Sequence, residues 1–378
     1  MAKKKSANIK ILSDKQLSNK YPSSGRASQI ALPSEQVLRL PSRVIAINHQ
    51  LNGGIIYGKI LELFGEESTG KSLLAMDFGY VTQKLGGEII WADAENSFNA
   101  QWFLKNGLDL EKIHLMTEQS GMELISDWIQ DTILSIRSRL TNNEPILLVL
   151  DSLAAVRCVA EIGEYQLDSS AKFGNRAKAI SDFLGNRNML FAKSGVCVIL
   201  INQLRRKIGA SKFEDPDKTV GGDATKFYAA QRVCVIRGKQ IKKKIKGVET
   251  KVGQNAFCRT YKDKTGPPRS STPCQVFFTK TKTNDVGFDK YSGLPDLLIQ
   301  LDVVQKKKGS GRYYFEEKMI ANGEDNFIEL LKSDDELRKK LISKTKINTI
   351  SKTKTQLDNI SKNLFLIKPN AADNKEPE

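Results

Sequence analysis

The chain has 378 residues, 40% hydrophobic and 27% charged, an ordinary balance for a soluble globular protein of one large domain with small appendages. Its 59 Lys and Arg against 43 Asp and Glu leave a net charge of +16, which attracts polyanions over long range but would also suit a merely solvated basic surface. No apolar run is long enough to cross a bilayer, and the start lacks the apolar stretch of a secretory signal, so no membrane role is expected.

In chain order, residues 1–41 are polar and basic, an N-terminal arm with one short helix near residues 13–21. Residues 42–301 form the core. Short apolar runs at 59–64, 88–92, 146–150, 196–201, 233–237 and 275–279 read as buried strands, with helices at 72–85, 122–139 and 176–192 between some of them. That alternation predicts an α/β fold with a mainly parallel sheet covered by helices on both faces. Right-handed crossovers then put the active edge at the carboxyl ends of the strands. Residues 291–301 and 316–341 suggest a small C-terminal appendage, bounded at 302–342, and residues 343–378 a basic, disordered tail. Five cysteines are scattered, with Cys197, Cys234 and Cys274 in apolar runs, which suits a reducing, cytoplasmic setting without disulfides or a zinc site. The two histidines, His49 and His114, are far apart, so no His-based triad is indicated.

The string Gly65-Glu66-Glu67-Ser68-Thr69-Gly70-Lys71-Ser72, followed by Leu73, fits G-x-x-x-x-G-K-[ST] between a strand and a helix. The glycines let backbone N–H groups turn inward around phosphate oxygens. Lys71 reaches the outer phosphates, Ser72 holds Mg²⁺, and the helix N-terminus adds positive potential. The apolar strand at 146–150 ends in Asp151, a carboxylate able to hold the Mg²⁺ hydration shell. Another strand leads into Asp93-Ala94-Glu95, where Glu95 can orient water as a general base, or where either carboxylate simply caps the next helix. ATP and Mg²⁺ are the expected ligands.

Together these motifs resemble the RecA recombinase family over about residues 45–301. The most specific stretches are Ile201-Asn202-Gln203-Leu204-Arg205-Arg206-Lys207-Ile208-Gly209 and Gly221-Gly222-Asp223-Ala224-Thr225-Lys226-Phe227-Tyr228, similar to the family's second DNA-binding loop and the helix after it. The resemblance implies that Glu95 is the catalytic glutamate and that Gln203 senses the γ-phosphate. It also implies that Trp102 stacks on adenine and that Asn99 meets the base edge. Arg205, Arg206 and Lys207, interleaved with Ile208 and Phe213, suit contact with unstacked bases. Arg176 matches a DNA-contacting arginine after the first loop, at 157–175. Lys262 and Lys264 match paired lysines that reach the ATP of the adjacent subunit.

The implied partners are single-stranded DNA, homologous duplex DNA and further copies of the chain in a helical filament, with single-strand-binding and mediator proteins beside it. The basic segment 239–254, with Lys242-Lys243-Lys244, is either an added duplex-binding patch or a solvated hairpin. A basic tail and a hard-to-match arm suggest a divergent member, bacterial or phage-encoded. A ring-forming helicase or branch-migration motor, and a non-catalytic recombination mediator, are the alternatives on the same core.

Overall fold

The computed structural model describes residues 16, 19, 37–117, 121–140, 143–159, 172–206, 217–219, 223–245, 247–266, 271–281, 283–307 and 309–359. Its contacts divide the chain after Val37, and the unit beginning at Leu38 carries everything below. In the preceding unit Gln16 and Asn19 are helical, inside the stretch expected to be so.

The unit opens with β1 (Arg39–Leu40), α1 (Ile45–Gln50) and β2 (Ile55–Ile56), followed by β3 (Ile60–Gly65), α2 (Lys71–Lys84), β4 (Glu88–Asp93) and α3 (Ala100–Lys105). After β5 (Ile113–Met116) come α4 (Met122–Arg139), β6 (Ile146–Asp151), α5 (Lys172–Ser194) and β7 (Val196–Arg206). Next are β8 (Asp217–Thr219), α6 (Asp223–Tyr228), the long pair β9 (Gln231–Ile245) and β10 (Val248–Asp263), β11 (Thr272–Phe277), β12 (Gly287–Phe288) and α7 (Leu294–Gln300). The C-terminal part is β13 (Gln305–Lys306), β14 (Arg312–Phe315), β15 (Lys318–Asn322), α8 (Glu324–Ser333), α9 (Asp335–Thr345) and α10 (Ile350–Asn359).

The main sheet runs β12-β11-β10-β9-β3-β7-β6-β4-β5. From β9 to β5 every neighbouring pair is parallel. From β9 outward through β10, β11 and β12 the pairing turns antiparallel. Hence the predicted strand at 275–279 belongs to an antiparallel extension, because no helix separates it from its neighbours.

Alternation along each strand feeds two apolar layers. Leu147 and Val149 of β6 and Trp91 of β4 face Leu74, Phe78 and Val81 of α2. Ile146, Leu148 and Leu150 point the other way, toward Ile129 and Ile133 of α4 and Ile180 and Leu184 of α5. Each fully buried aliphatic or aromatic side chain contributes roughly 1.5–3 kcal/mol, so these layers hold the strand ends in fixed register. Helix α2 is buried on nearly every side. Its Asp77 accepts bonds from Ser42 Oγ at 2.6 Å and the Arg43 N–H at 2.9 Å on its outer flank.

The C-terminal expectation needs correcting. Residues 343–359 are not a tail: α10 follows α9, and its Thr353 is fully buried. Thr353 Oγ1 donates to Arg39 O at 3.3 Å, and Asn348 Nδ2 donates to Gly53 O at 3.0 Å. Polar side chains bonding the backbone at the start of the core replace the apolar burial that the composition lacks. Tyr313, Phe327, Leu331 and Leu341 also join the same apolar cluster as α2, so the appendage shares the main core. Residues 360–378 lie outside the described ones.

Candidate active site

The loop between β3 and α2 carries the first glycine motif. Gly65 has φ +155°, and a Cβ there would stand 2.3 Å from Val235 O of β9. Gly70 is the N-cap of α2 with φ +102°, a left-handed position that frees the first N–H groups of the helix. Gly65→Ala is therefore expected to lower stability by about 2–3 kcal/mol through the clash with β9. The check is the denaturant midpoint; a variant as stable as the parent would show that the loop can back away from β9.

Lys71 is 7% exposed and folds back across the loop, donating from Nζ to Gly65 O at 3.1 Å and Glu66 O at 2.6 Å. Burial lowers its pKa from the ordinary lysine value, opposed first by Asp151 and then by Glu95. Ser72 Oγ donates to Asp151 Oδ2 at 2.7 Å, bringing the hydroxyl of the loop against the end of β6. Glu95 accepts from Ser152 Oγ and, at 3.1 Å, from Gln203 Nε2 at the carboxyl side of β7. Four elements distant in sequence thus converge at the carboxyl ends of β3, β4, β6 and β7, where an open α/β sheet binds its ligands.

Burial pushes the Asp151 carboxyl up to about 7; Glu95 and Asp93 add to the rise, while the Ser72 bond and Lys71 oppose it. The folded chain therefore keeps a proton that the unfolded chain gives up from about pH 4 upward. Stability from this group is present at low pH and is lost as pH rises through about 7. With a chelator present, the unfolding midpoint of the parent is expected to fall more between about pH 5 and about pH 8 than that of Asp151→Asn. Equal slopes would place the titration elsewhere.

The cleft of about 660 Å³ above these groups is lined by Glu67, Ser68, Thr69, Gly70, Lys71, Ser72, Leu73, Glu95, Trp102, Asp151 and Gln203. Gly65 and Glu66 do not line it; their carbonyls hold the Lys71 ammonium that does. Asn99 does not line it: its side-chain oxygen is the N-cap of α3, accepting the Trp102 N–H at 3.1 Å. Asp93 neither lines the cleft nor caps α3. It holds the turn before it by accepting from Phe98 N–H at 2.6 Å and Ser97 Oγ at 3.3 Å.

The second half of the sheet supplies lining residues that local motifs did not indicate. Arg237 of β9, Lys251 and Gln254 of β10, and Phe278 after β11 close the far side of the cleft. Arg237 donates to Glu67 O, and Gln254 Nε2 donates to Ser68 O at 3.0 Å. The basic segment 239–254 is thus an antiparallel hairpin whose base braces the phosphate loop. The only sequence signal was the charge of that segment.

Lys262 and Lys264 do not line this cleft. Lys262 Nζ donates instead to Lys226 O at 2.6 Å and Phe227 O at 3.4 Å, the last carbonyls of α6. Arg176 of α5 donates to Ala154 O at 3.2 Å. Arg205 and Arg206 extend β7 and pair with Lys218 and Asp217 of β8, an addition to the expected loop. Lys207, Ile208, Gly209, Phe213, Gly221 and Gly222 lie outside the described residues.

A strand, a glycine turn and a helix N-terminus at the switch point of a mainly parallel sheet define an α/β protein built to seat an anionic group. The model of the RecA N-terminal domain matches residues 15–282. The Protein RecA of Chloroherpeton thalassium is 30% identical over 326 residues, 85% of each chain. That of Mycoplasma mycoides is 32% identical over 285 residues, 75% of each. That of Ureaplasma parvum is 34% identical over 295 residues, 77% of this chain and 80% of the relative. The chain belongs to the RecA family, the ATP-dependent DNA recombinases.

Proposed function

We propose that this protein assembles as a helical filament on single-stranded DNA, pairs it with homologous duplex, and hydrolyses ATP in the cleft at the carboxyl ends of β3, β4, β6 and β7. The observation that carries this is the meeting of Lys71, Ser72, Glu95, Asp151 and Gln203 at one opening. The opening falls within the range of volumes that small ligands fill.

Mg²⁺ fits the donors present. Ser72 Oγ and the Asp151 carboxylate are hard oxygen groups 2.7 Å apart. Among the described residues no cluster of three or more His, Cys, Asp or Glu offers a closed metal cage. Mg²⁺ characteristically takes few protein ligands and completes its shell with water and phosphate. Bound there, it would neutralise charge on the phosphate oxygens.

Lys71 exchanges its two loop carbonyls for phosphate oxygens. Glu95, held by Ser152 and Gln203, orients the attacking water and accepts its proton. Gln203 lies in β7 shortly before the segment that resembles the second DNA-binding loop, so the bond it makes to a phosphate or to Glu95 biases the order of that loop. Lys262 and Lys264 act on the nucleotide of the adjacent subunit, doing the work of an arginine finger. A contact that puts one subunit's lysines on the next one's nucleotide is heterologous, so it closes into a ring or propagates as a helix; the family resemblance favours the helix. The net charge of +16 matches a polyanionic partner whose grip weakens steeply with salt.

Family membership favours the recombinase over the ring-forming motor and the non-catalytic mediator. A cytoplasmic setting, with single-strand-binding and mediator proteins nearby, belongs to the same proposal. Among the described residues no helix is long and apolar enough to cross a membrane. The test is joint formation between homologous and heterologous DNA pairs with this protein alone and ATP. Joints that form equally well with heterologous DNA, or without ATP, would rule out the recombinase.

A further inference from the structure

One ionisable group in the middle of the sheet has no part in the reaction as described above. Glu62 of β3 has no exposed surface. A carboxylate there is costly unless both oxygens are bonded and its charge is paired. Both conditions hold. Asn202 of β7 donates from Nδ2 to Oε1 at 3.0 Å, and Arg232 of β9 donates from Nε to Oε2 at 2.5 Å. The strand order explains the meeting, since β3 lies between β7 and β9, with Glu62 opposite Arg232 and Phe64 opposite Asn202.

Each partner leads to a residue assigned to catalysis. Asn202 Oδ1 accepts the Gln203 N–H at 2.9 Å, which pins the backbone that carries the phosphate sensor. Arg232 is the register partner of Lys262 across β9 and β10. Its guanidinium also lies over the Phe64 ring at 4.8 Å, and that ring meets Tyr261 edge-on at 5.2 Å. Two cations opposed on one sheet face repel each other, and Glu62 supplies the counter-charge that lets them stay. A neutral, well-packed side chain would usually hold a sheet interior at no loss of stability. Architecture alone therefore does not account for a charge at this position.

We propose that Glu62 is a positioning residue for ATP turnover. By holding Asn202 on one oxygen and Arg232 on the other, it sets where Gln203 meets this subunit's nucleotide and where Lys262 stands toward the neighbour's. The proposal rests on the assignment of Lys262 to the adjacent nucleotide.

Four proteins test it: the parent, Glu62→Gln, Arg232→Met and the double variant, with Lys262→Ala measured beside them. The readouts are melting midpoint, affinity for a fluorescent ATP analogue without DNA, and kcat and KM for ATP with single-stranded DNA. Either single variant leaves a largely buried charge without its counter-charge and loses stability. The double variant removes both charges and is expected to melt near the parent and bind the analogue within about twofold, with kcat about 10- to 100-fold lower at unchanged KM. If the double variant regains both its melting midpoint and its kcat, the pair is only structural and the proposal is overturned. A fast Lys262→Ala would instead remove the trans assignment, and the proposal with it. A slow Lys262→Ala beside a fast double variant sinks the Glu62 role alone.

Discussion

Lys71→Ala is expected to lower DNA-stimulated ATP turnover by at least about 10²- to 10³-fold, the usual loss when a preorganised charge aimed at the reacting phosphate is removed. The side chain is already directed inward. It is 7% exposed, and its ammonium bridges the carbonyls of Gly65 and Glu66 at the mouth of the loop. Lys71 itself lines the open cleft, so water can enter from there to meet those carbonyls when the side chain is cut back. The alanine variant should therefore fold, with a change in stability of about 1 kcal/mol or less. ATP-dependent binding to single-stranded DNA should disappear together with turnover. Steady-state hydrolysis and a melting curve on the same preparation check both halves. Turnover within about tenfold of the parent would place phosphate binding elsewhere.

The second large effect concerns the paired lysines. Lys262→Ala with Lys264→Ala is expected to leave nucleotide affinity of the dilute, DNA-free protein unchanged and to lower DNA-stimulated turnover by about 10³-fold, as loss of a trans-acting cation does in phosphoryl transfer. Neither lysine borders the cleft of its own subunit. Burial is the main reason the Lys262 pKa is lowered, with Lys264 and Arg232 adding to the effect. Clustered cations of this kind gain most from a phosphate brought close to them. Mixing the double variant with Lys71→Ala gives the sharper measurement. Each is inactive alone, but a mixed filament places intact lysines from one subunit against an intact phosphate loop on the next. Recovery of hydrolysis on mixing supports the assignment. A double variant as fast as the parent contradicts it.

Much of the cleft was legible because its groups lie in short contiguous strings. Gly65 to Ser72 is one turn, and its glycines answer a local need for positive φ; the closeness of Val235 O to Gly65 is added by the tertiary structure. Asp151 and Glu95 follow short apolar runs that read as buried strands and are strands in the structure. The helix at Met122–Arg139 shows its buried stripe in its own periodicity, and its bounds came out as expected. Asn99 has a role that its residue type alone did not show: its side-chain oxygen caps α3 by accepting the Trp102 N–H.

By itself, then, the amino-acid sequence determined the α/β class, the phosphate loop and the carboxylates that serve it, because backbone conformation and hydrophobic period act over a few residues. The tertiary structure decided the rest. Arg237, Lys251, Gln254 and Phe278 reach the cleft only because β9 and β10 double back beside β3. Glu62 finds Asn202 and Arg232 only through the strand order β9-β3-β7. Helix α10 is held by Thr353 and Asn348 bonding the backbone some 300 residues earlier. Contacts of that range depend on which elements become neighbours, and burial and pairing energies settle that only once the whole sheet has assembled.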